Sequence, residues 1–178
     1  MQITAVDLYE IRIPYRRNHT LSSGPLHGAN SIIIRLSTDE GISGAGEASI
    51  PGGAGWSEES ASSVRMVIQE YLAPVIIGRD PRNCSEFALA MRKAVRGDPF
   101  ARAALEMACS DIAGQSIGVP AAQLLGGTQR QTVSIVWSLE SGVVDQEIEE
   151  ALKVSEDFAY KDGCVNIPAG TSLGVQVD

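Results

Sequence analysis

Two histidines, His19 and His27, lie in one polar stretch together with Ser22 and Ser23. A serine beside a histidine could act as nucleophile and base, but that chemistry needs a third group to orient the imidazole. No such acid can be assigned here, so spacing builds neither a triad nor a metal pair. His19 suits a polar position on a lid, with plain solvent exposure as the alternative. Asp111 falls on the apolar stripe of a helical segment and is expected to be buried. A buried carboxylate is sometimes catalytic, and more often anchors a loop or an arginine. Glu47, at the end of a glycine-rich strand, invites the same two readings. Trp56 sits in the run Pro51-Gly-Gly-Ala-Gly-Trp56, where it either shields a ligand or staples the following helix. The run Gly41-Ile-Ser-Gly44-Ala-Gly46 has the look of a phosphate cradle. It lies within a strand and opens no helix, so its glycines are read as allowing close backbone packing.

Other chemistry is missing. The sequence has no HExxH, paired CxxC, P-loop lysine or GxSxG motif, and no run of acids that reads as a divalent-metal site. Cys84, Cys109 and Cys164 are odd in number and widely spaced, which fits reduced cytosolic thiols better than a disulfide frame or zinc site. With 14 Lys and Arg against 22 Asp and Glu, the 178-residue chain carries a net charge of −8. That excludes the dense basic stripe of a nucleic-acid surface and disfavours anionic lipid. An apolar fraction of 44% suits a globular core. No apolar run is long enough for a membrane span. The expectation is a cytoplasmic protein.

These residues must be positioned by recognisable elements. Residues 3–13 alternate as a strand whose phase slips between Leu8 and Ile11, which predicts a bulge. Pro14 is expected to end it, leaving 15–29 as a long polar loop of the kind used for lids. Segments 31–37 and 42–49 read as two more strands of an antiparallel meander. Ser57, followed by two glutamates, predicts a helix start, with Val64, Val67, Ile68, Tyr71, Leu72 and Val75 as its apolar stripe. Asp80-Pro81 predicts a second helix running to Gly97, with Phe87, Leu89 and Met91 inward. Pro99 opens a third, whose stripe (Phe100, Ala103, Ala104, Met107, Ala108, Asp111, Ile112) is small enough for close packing. Gly118 stops it, and Ala121–Leu125 forms a further turn. Strand 133–139, an acidic helix at 145–161 with Val144, Ile148, Leu152 and Ala159 inward, and strand 164–167 would begin a βαβ unit and a parallel sheet. The expected class is α+β over 1–130, followed at 131–178 by the start of an α/β domain.

The block Thr38-Asp-Glu-Gly-Ile-Ser-Gly-Ala-Gly-Glu-Ala48, followed by helices, resembles the N-terminal capping domain of the mandelate racemase/muconate lactonizing branch of the enolase superfamily. A second block in the right order supports the likeness: Ala103-Ala-Leu-Glu-Met-Ala-Cys-Ser-Asp111-Ile-Ala-Gly114, Gly118-Val-Pro120 and Leu124-Leu-Gly-Gly127. The Gly52-Gly53 pair with Trp56, His19 after Pro14, and Trp137-Ser-Leu139-Glu-Ser-Gly142 are most similar to muconate and chloromuconate cycloisomerases. Racemases and epimerases share much of this. The resemblance implies a capping domain folded over the open end of a (β/α)8 barrel, with loops 15–29 and 50–56 closing on a small carboxylate substrate. It makes His19, Pro51 and Trp56 the lid candidates, although cycloisomerases commonly carry an aliphatic residue at the position of Pro51. It also implies a Lys-x-Lys base and a site for Mg2+ or Mn2+ on barrel strands.

The sequence departs from that pattern in the barrel. The Lys-x-Lys place falls at Cys164/Asn166 or, with a two-residue slip, at Asn166/Pro168, and the last lysine is Lys161. A barrel of this class takes about 250 residues, and positions 131–178 supply fewer than 50. No catalytic or metal-binding residue is therefore assigned, and no bound metal is expected. Three expectations follow: a truncated isomerase chain inactive by itself, a non-catalytic capping module that self-associates or binds a partner, and a small-ligand binder using the cleft between the two loops.

Overall fold

The computed structural model describes residues 1–21, 24–134, 144–146, 148–149 and 164–166. Three antiparallel strands, β1 (Ile3–Leu21), β2 (Gly24–Thr38) and β3 (Ser43–Ser49), form a sheet in the order β1-β2-β3. Strand alternation sends Ile32, Ile34 and Leu36 into the core, fully buried, while Ile33 and Arg35 take the opposite face. On that outer face Arg35 grips Asp7 at 2.9 Å and lies over the Tyr9 ring.

Two expectations about this sheet are corrected. The predicted loop at 15–29 is the distal half of a long hairpin. After Pro14↔Gly28 the ladder resumes at His19↔Leu26, with extra residues on β1 between them. Strand pairing, and not polarity, decides the outcome here: the backbone ladder continues through a stretch whose composition reads as a loop. Pro14 survives there because β1 is an edge strand and can do without one ladder donor. The bulge expected between Leu8 and Ile11 is also absent, since pairing is continuous from Ala5↔Ser37 to Pro14↔Gly28. The irregularities lie instead between Ile3 and Ala5 and beyond Pro14.

The helices follow. Helix α1 (Ala61–Val67) runs through a π-helical turn, Ile68–Leu72, into α2 (Ala73–Ile76). The wide turn falls just before Pro74, which has no N–H to continue the ladder. Val64, Val67, Ile68, Leu72 and Ile76 are buried, whereas Tyr71 is exposed. The N-cap is Ser60, in a reciprocal box with Ser63, and not Ser57. Ser57 is occupied locally, accepting from Glu59 N and donating to Glu59 O. Helix α3 (Cys84–Ala94) begins later than Asp80-Pro81 suggests, because the Asp80 carboxylate closes a turn onto the backbone and guanidinium of Arg82. Phe87 and Met91 are buried there, and Leu89 faces outward.

Helix α4 (Pro99–Ile117) is the central element, ended by Gly118 as expected. Its buried positions are Ala101, Ala104, Leu105, Ala108, Cys109 and the run from Asp111 to Gly114, while Ala103 and Met107 point outward. The helix lies directly on β3. A methyl group at Gly46 would strike the Ala104 carbonyl oxygen, and one at Gly44 would strike the Ala108 carbonyl oxygen. Gly44 and Gly46 thus allow the close backbone packing expected of them, as the floor on which a helix of small residues rests.

After α5 (Ala121–Leu124), β4 (Thr132–Ser134) pairs antiparallel with β5 (Cys164–Asn166). This corrects the parallel pairing expected between these two strands; an antiparallel ladder is slightly the more stable per residue. Residues 144–146 and 148–149 are helical, and Val144 and Ile148 are exposed, not inward. Ser22, Ser23, Trp137–Gly142, most of the acidic helix at 145–161, and Ile167 and Pro168 lie outside the described residues.

Candidate functional site

Beyond the core, the inner face of the β1–β2 hairpin meets the loop after β3 and leaves a cleft of about 450 Å3. Arg12 and Pro14 from β1, His27 and Asn30 from β2, and Pro51 and Gly53 from the loop line it. Register explains the meeting. Arg12 is opposite Asn30, and Asn30 in turn holds the root of the loop by accepting from Ile50 N at 2.8 Å. The polar groups supply a guanidinium, an imidazole and a carboxamide on a mostly apolar wall. That set can hold a small anion by charge and hydrogen bonding. Arg12 also contacts Glu10 at 3.1 Å, but it is well exposed, so this pair restrains it only weakly.

The three lid candidates separate. Pro51 is in the cleft wall. His19 is on β1, opposite Leu26 at the far end of the hairpin. Trp56 is not in the wall: its ring stacks on Phe100, 6.2 Å between centroids and 16° from parallel. It staples the loop to a helix, as its second reading had it, though the helix is α4 and not the one that follows directly. A short 3-10 turn at Gly53–Gly55 makes this possible, with Gly53 O accepting from Trp56 N.

The acids have structural partners, although Glu47 is exposed and Asp111 keeps its second, buried oxygen, Oδ1, without one. Asp111 accepts from Ala45 N at 2.8 Å, anchoring a strand where an arginine or loop was expected. Glu47 accepts from Ser31 Oγ at 2.7 Å. Glu59, which sequence reasoning treated only as a first-turn acid, is 2% exposed and accepts from Phe100 N and Ala101 N at the start of α4. Among the described residues no group of three His, Cys, Asp or Glu is placed to hold a metal ion. These acids are dispersed, so the described residues do not fit the divalent cation that the resemblance implies. Cys164–Asn166, where the resemblance would put the Lys-x-Lys motif, form β5. Burial pushes the Cys109 thiol well above the ordinary cysteine range, which removes it as a nucleophile. No helix among the described residues is long and apolar enough to cross a membrane.

Arg12 and Asn30 were missed at the sequence level. Each reads as an ordinary strand residue, and only the pairing register between β1 and β2 sets them together beside Pro51.

Comparison with known proteins agrees with this architecture. Residues 3–126 match the model of the mandelate racemase/muconate lactonizing enzyme N-terminal domain. The chloromuconate cycloisomerase of Cupriavidus necator is 35% identical over 156 residues, which cover 88% of this chain and 42% of that protein. The muconate lactonizing enzyme of Pseudomonas fluorescens, solved with muconolactone, superposes with a TM-score of 0.84 at 32% identity, covering 86% of this chain and 41% of that one. The N-succinyl Arg/Lys racemase of Bacillus cereus superposes with a TM-score of 0.82 at 33% identity, covering 88% of this chain and 42% of that one. The chain therefore spans about two fifths of the length of the relatives it matches. With a matching domain model over most of its length and the same three-stranded meander followed by helices, the chain belongs to the mandelate racemase/muconate lactonizing enzyme family.

Proposed function

We propose that residues 1–130 are the capping domain of a cytoplasmic, metal-dependent isomerase of the muconate cycloisomerase type, acting on a small carboxylate by α-proton chemistry. Residues 131–178 would begin its barrel. The observation that carries this reading is the cleft beyond the core, where Arg12, His27 and Asn30 face the Pro51–Gly53 wall. A guanidinium in that wall matches a substrate carboxylate, and the apolar remainder matches a short hydrocarbon chain. The lid, in this reading, contributes binding and exclusion of water, while proton transfer and metal binding belong to a barrel. Pro51 and His19 are proposed as specificity positions, with Trp56 holding the loop.

A chimera tests it. Residues 1–126 of this chain replace the equivalent segment of the Cupriavidus necator chloromuconate cycloisomerase, and turnover of muconate and chloromuconate is measured. The chimera is expected to be active, with Arg12→Ala and Pro51→Ile shifting KM by about fivefold or more, as for loss of one charge-assisted contact. A folded, active chimera whose KM ignores both substitutions would sink the cleft reading. The 178-residue chain alone is proposed to be inactive, because positions 164–168 carry no lysine. Muconate turnover by the purified chain with Mg2+ or Mn2+ refutes that.

A second reading has one observation in its favour. β1 is an edge strand, and Tyr9, Ile11 and Ile13 stand exposed along it. Such an edge can template pairing with another chain, which suits a self-associating capping module. Sedimentation of the chain and of an Ile11→Lys variant separates the readings: a monomer in both cases removes self-association.

A further inference from the structure

The wall of the cleft is tied to the centre of the fold through one buried carboxylate. Asp98 occupies the N-cap of α4 but sits in the left-handed region (φ 50, ψ 56), and its side chain makes no capping hydrogen bond. Pro99 has no N–H to offer. The first free donors of the helix are therefore Phe100 N and Ala101 N, and Glu59 takes both, at 2.8 and 3.3 Å. An acid arriving from 41 residues away does the work that a capping side chain does elsewhere, at the positive end of the helix dipole. Its own backbone is held by Ser57, and three residues earlier Trp56 stacks on the same Phe100. Gly52 completes the joint, since a side chain there would strike the Trp56 Cβ. At Trp56 and Glu59, then, the loop that begins at Pro51 is pinned to the first turn of α4, and α4 is bedded on β3.

We infer that Glu59 is a positioning residue, a latch that sets the Pro51–Gly53 wall of the cleft by docking the 51–59 loop onto the N-terminus of α4. The substrate-facing role of that wall rests on the reading proposed above; the latch itself does not. With the latch made, the wall is a rigid surface whose place is dictated by α4. With the latch broken, the loop is released at its distal end while still held at Ile50, and the wall loses its set distance from the hairpin.

The test uses the full 178-residue chain in a Trp137→Phe background, where Trp56 is the sole tryptophan. Amide exchange over 51–57 and over the core segment 32–36 is followed with acrylamide quenching of Trp56, in the parent, Glu59→Gln and Glu59→Ala. The alanine variant is expected to speed exchange over 51–57 by about tenfold or more and to raise quenching, as for loss of hydrogen bonds to a charged group. Segment 32–36 should stay protected. The glutamine variant keeps one acceptor and should fall between, which also decides the matter if the alanine variant fails to fold. Unchanged exchange over 51–57, or equal acceleration over 51–57 and 32–36, overturns the latch. Substrate enters none of these readouts. An intact latch beside an unresponsive KM in the chimera would discard the cleft reading and leave the latch standing.

Discussion

Asp111, near the middle of α4, accepts the main-chain N–H of Ala45, near the middle of β3, at 2.8 Å. β3 is an edge strand, so this N–H would otherwise be left without a ladder partner, against a helix that shuts out water. The carboxylate closes that edge from a side chain 66 residues away and fixes how far α4 can slide along the sheet.

Asp111→Ala is accordingly expected to cost about 1–2 kcal/mol, the price of a partly buried donor left unpaired, offset in part because Asp111 Oδ1 is itself buried without a partner. Asp111→Asn, which keeps an acceptor oxygen, should cost less than half as much. Urea unfolding measures both, and an alanine variant within about 0.5 kcal/mol of the parent would show that the bond is incidental.

Gly46→Ala should destabilise more than a typical surface change, by about 2 kcal/mol or more, because the obstacle is the backbone carbonyl of Ala104 and not a movable side chain. Gly41→Ala, in open space but at φ 79, should cost about 1 kcal/mol from backbone strain alone. The order of the two midpoints in guanidinium is the check; the reverse order contradicts the close approach of β3 and α4.

Asp80 carries a pH signature. Hydrogen bonds from Arg82 hold its carboxyl at about 2, below the ordinary 3.8. A carboxyl depressed on folding stabilises the fold above its unfolded pKa, and that stabilisation fades as pH falls through about 2. The pair is partly exposed, so its contribution is under about 1 kcal/mol. A carbon-detected titration should place Asp80 near 2 in the parent and closer to 3.8 in Arg82→Ala, with the stability gap between them closing at acid pH. An Asp80 midpoint that ignores the substitution counts against the pair.

Cysteine labelling should read burial directly. Cys84 is exposed and Cys109 is buried, and burial raises both thiols, Cys109 far more. Iodoacetamide at pH 8 is expected to modify Cys84 first and to reach Cys109 only on unfolding, as resolved by peptide mass spectrometry. Equal rates at the two sites would place Cys109 outside the core.

Much of this fold could be read along the chain. The alternation at Ile32, Ile34 and Leu36, the small residues of α4 bounded by Pro99 and Gly118, and the two glycine-rich blocks are local patterns with a direct physical meaning. They suffice for the meander, the central helix and the family. Helix starts were less legible, because Ser57 and Ser60 offer the same capping chemistry and only the backbone path chose between them. The polar run at 15–29 misled for a related reason: polarity reports exposure, and an exposed strand is as polar as an exposed loop.

The sequence by itself determined the class of the domain, the burial of Asp111 and the absence of lysine from positions 164–168. The tertiary structure alone decided the cleft and its latch. Arg12, Asn30, Pro51 and Glu59 belong to separate segments, and no periodicity relates them. They are joined by the register of β1 on β2 and by the loop's docking on α4. Both depend on contacts between residues far apart in the chain, which local pattern does not encode.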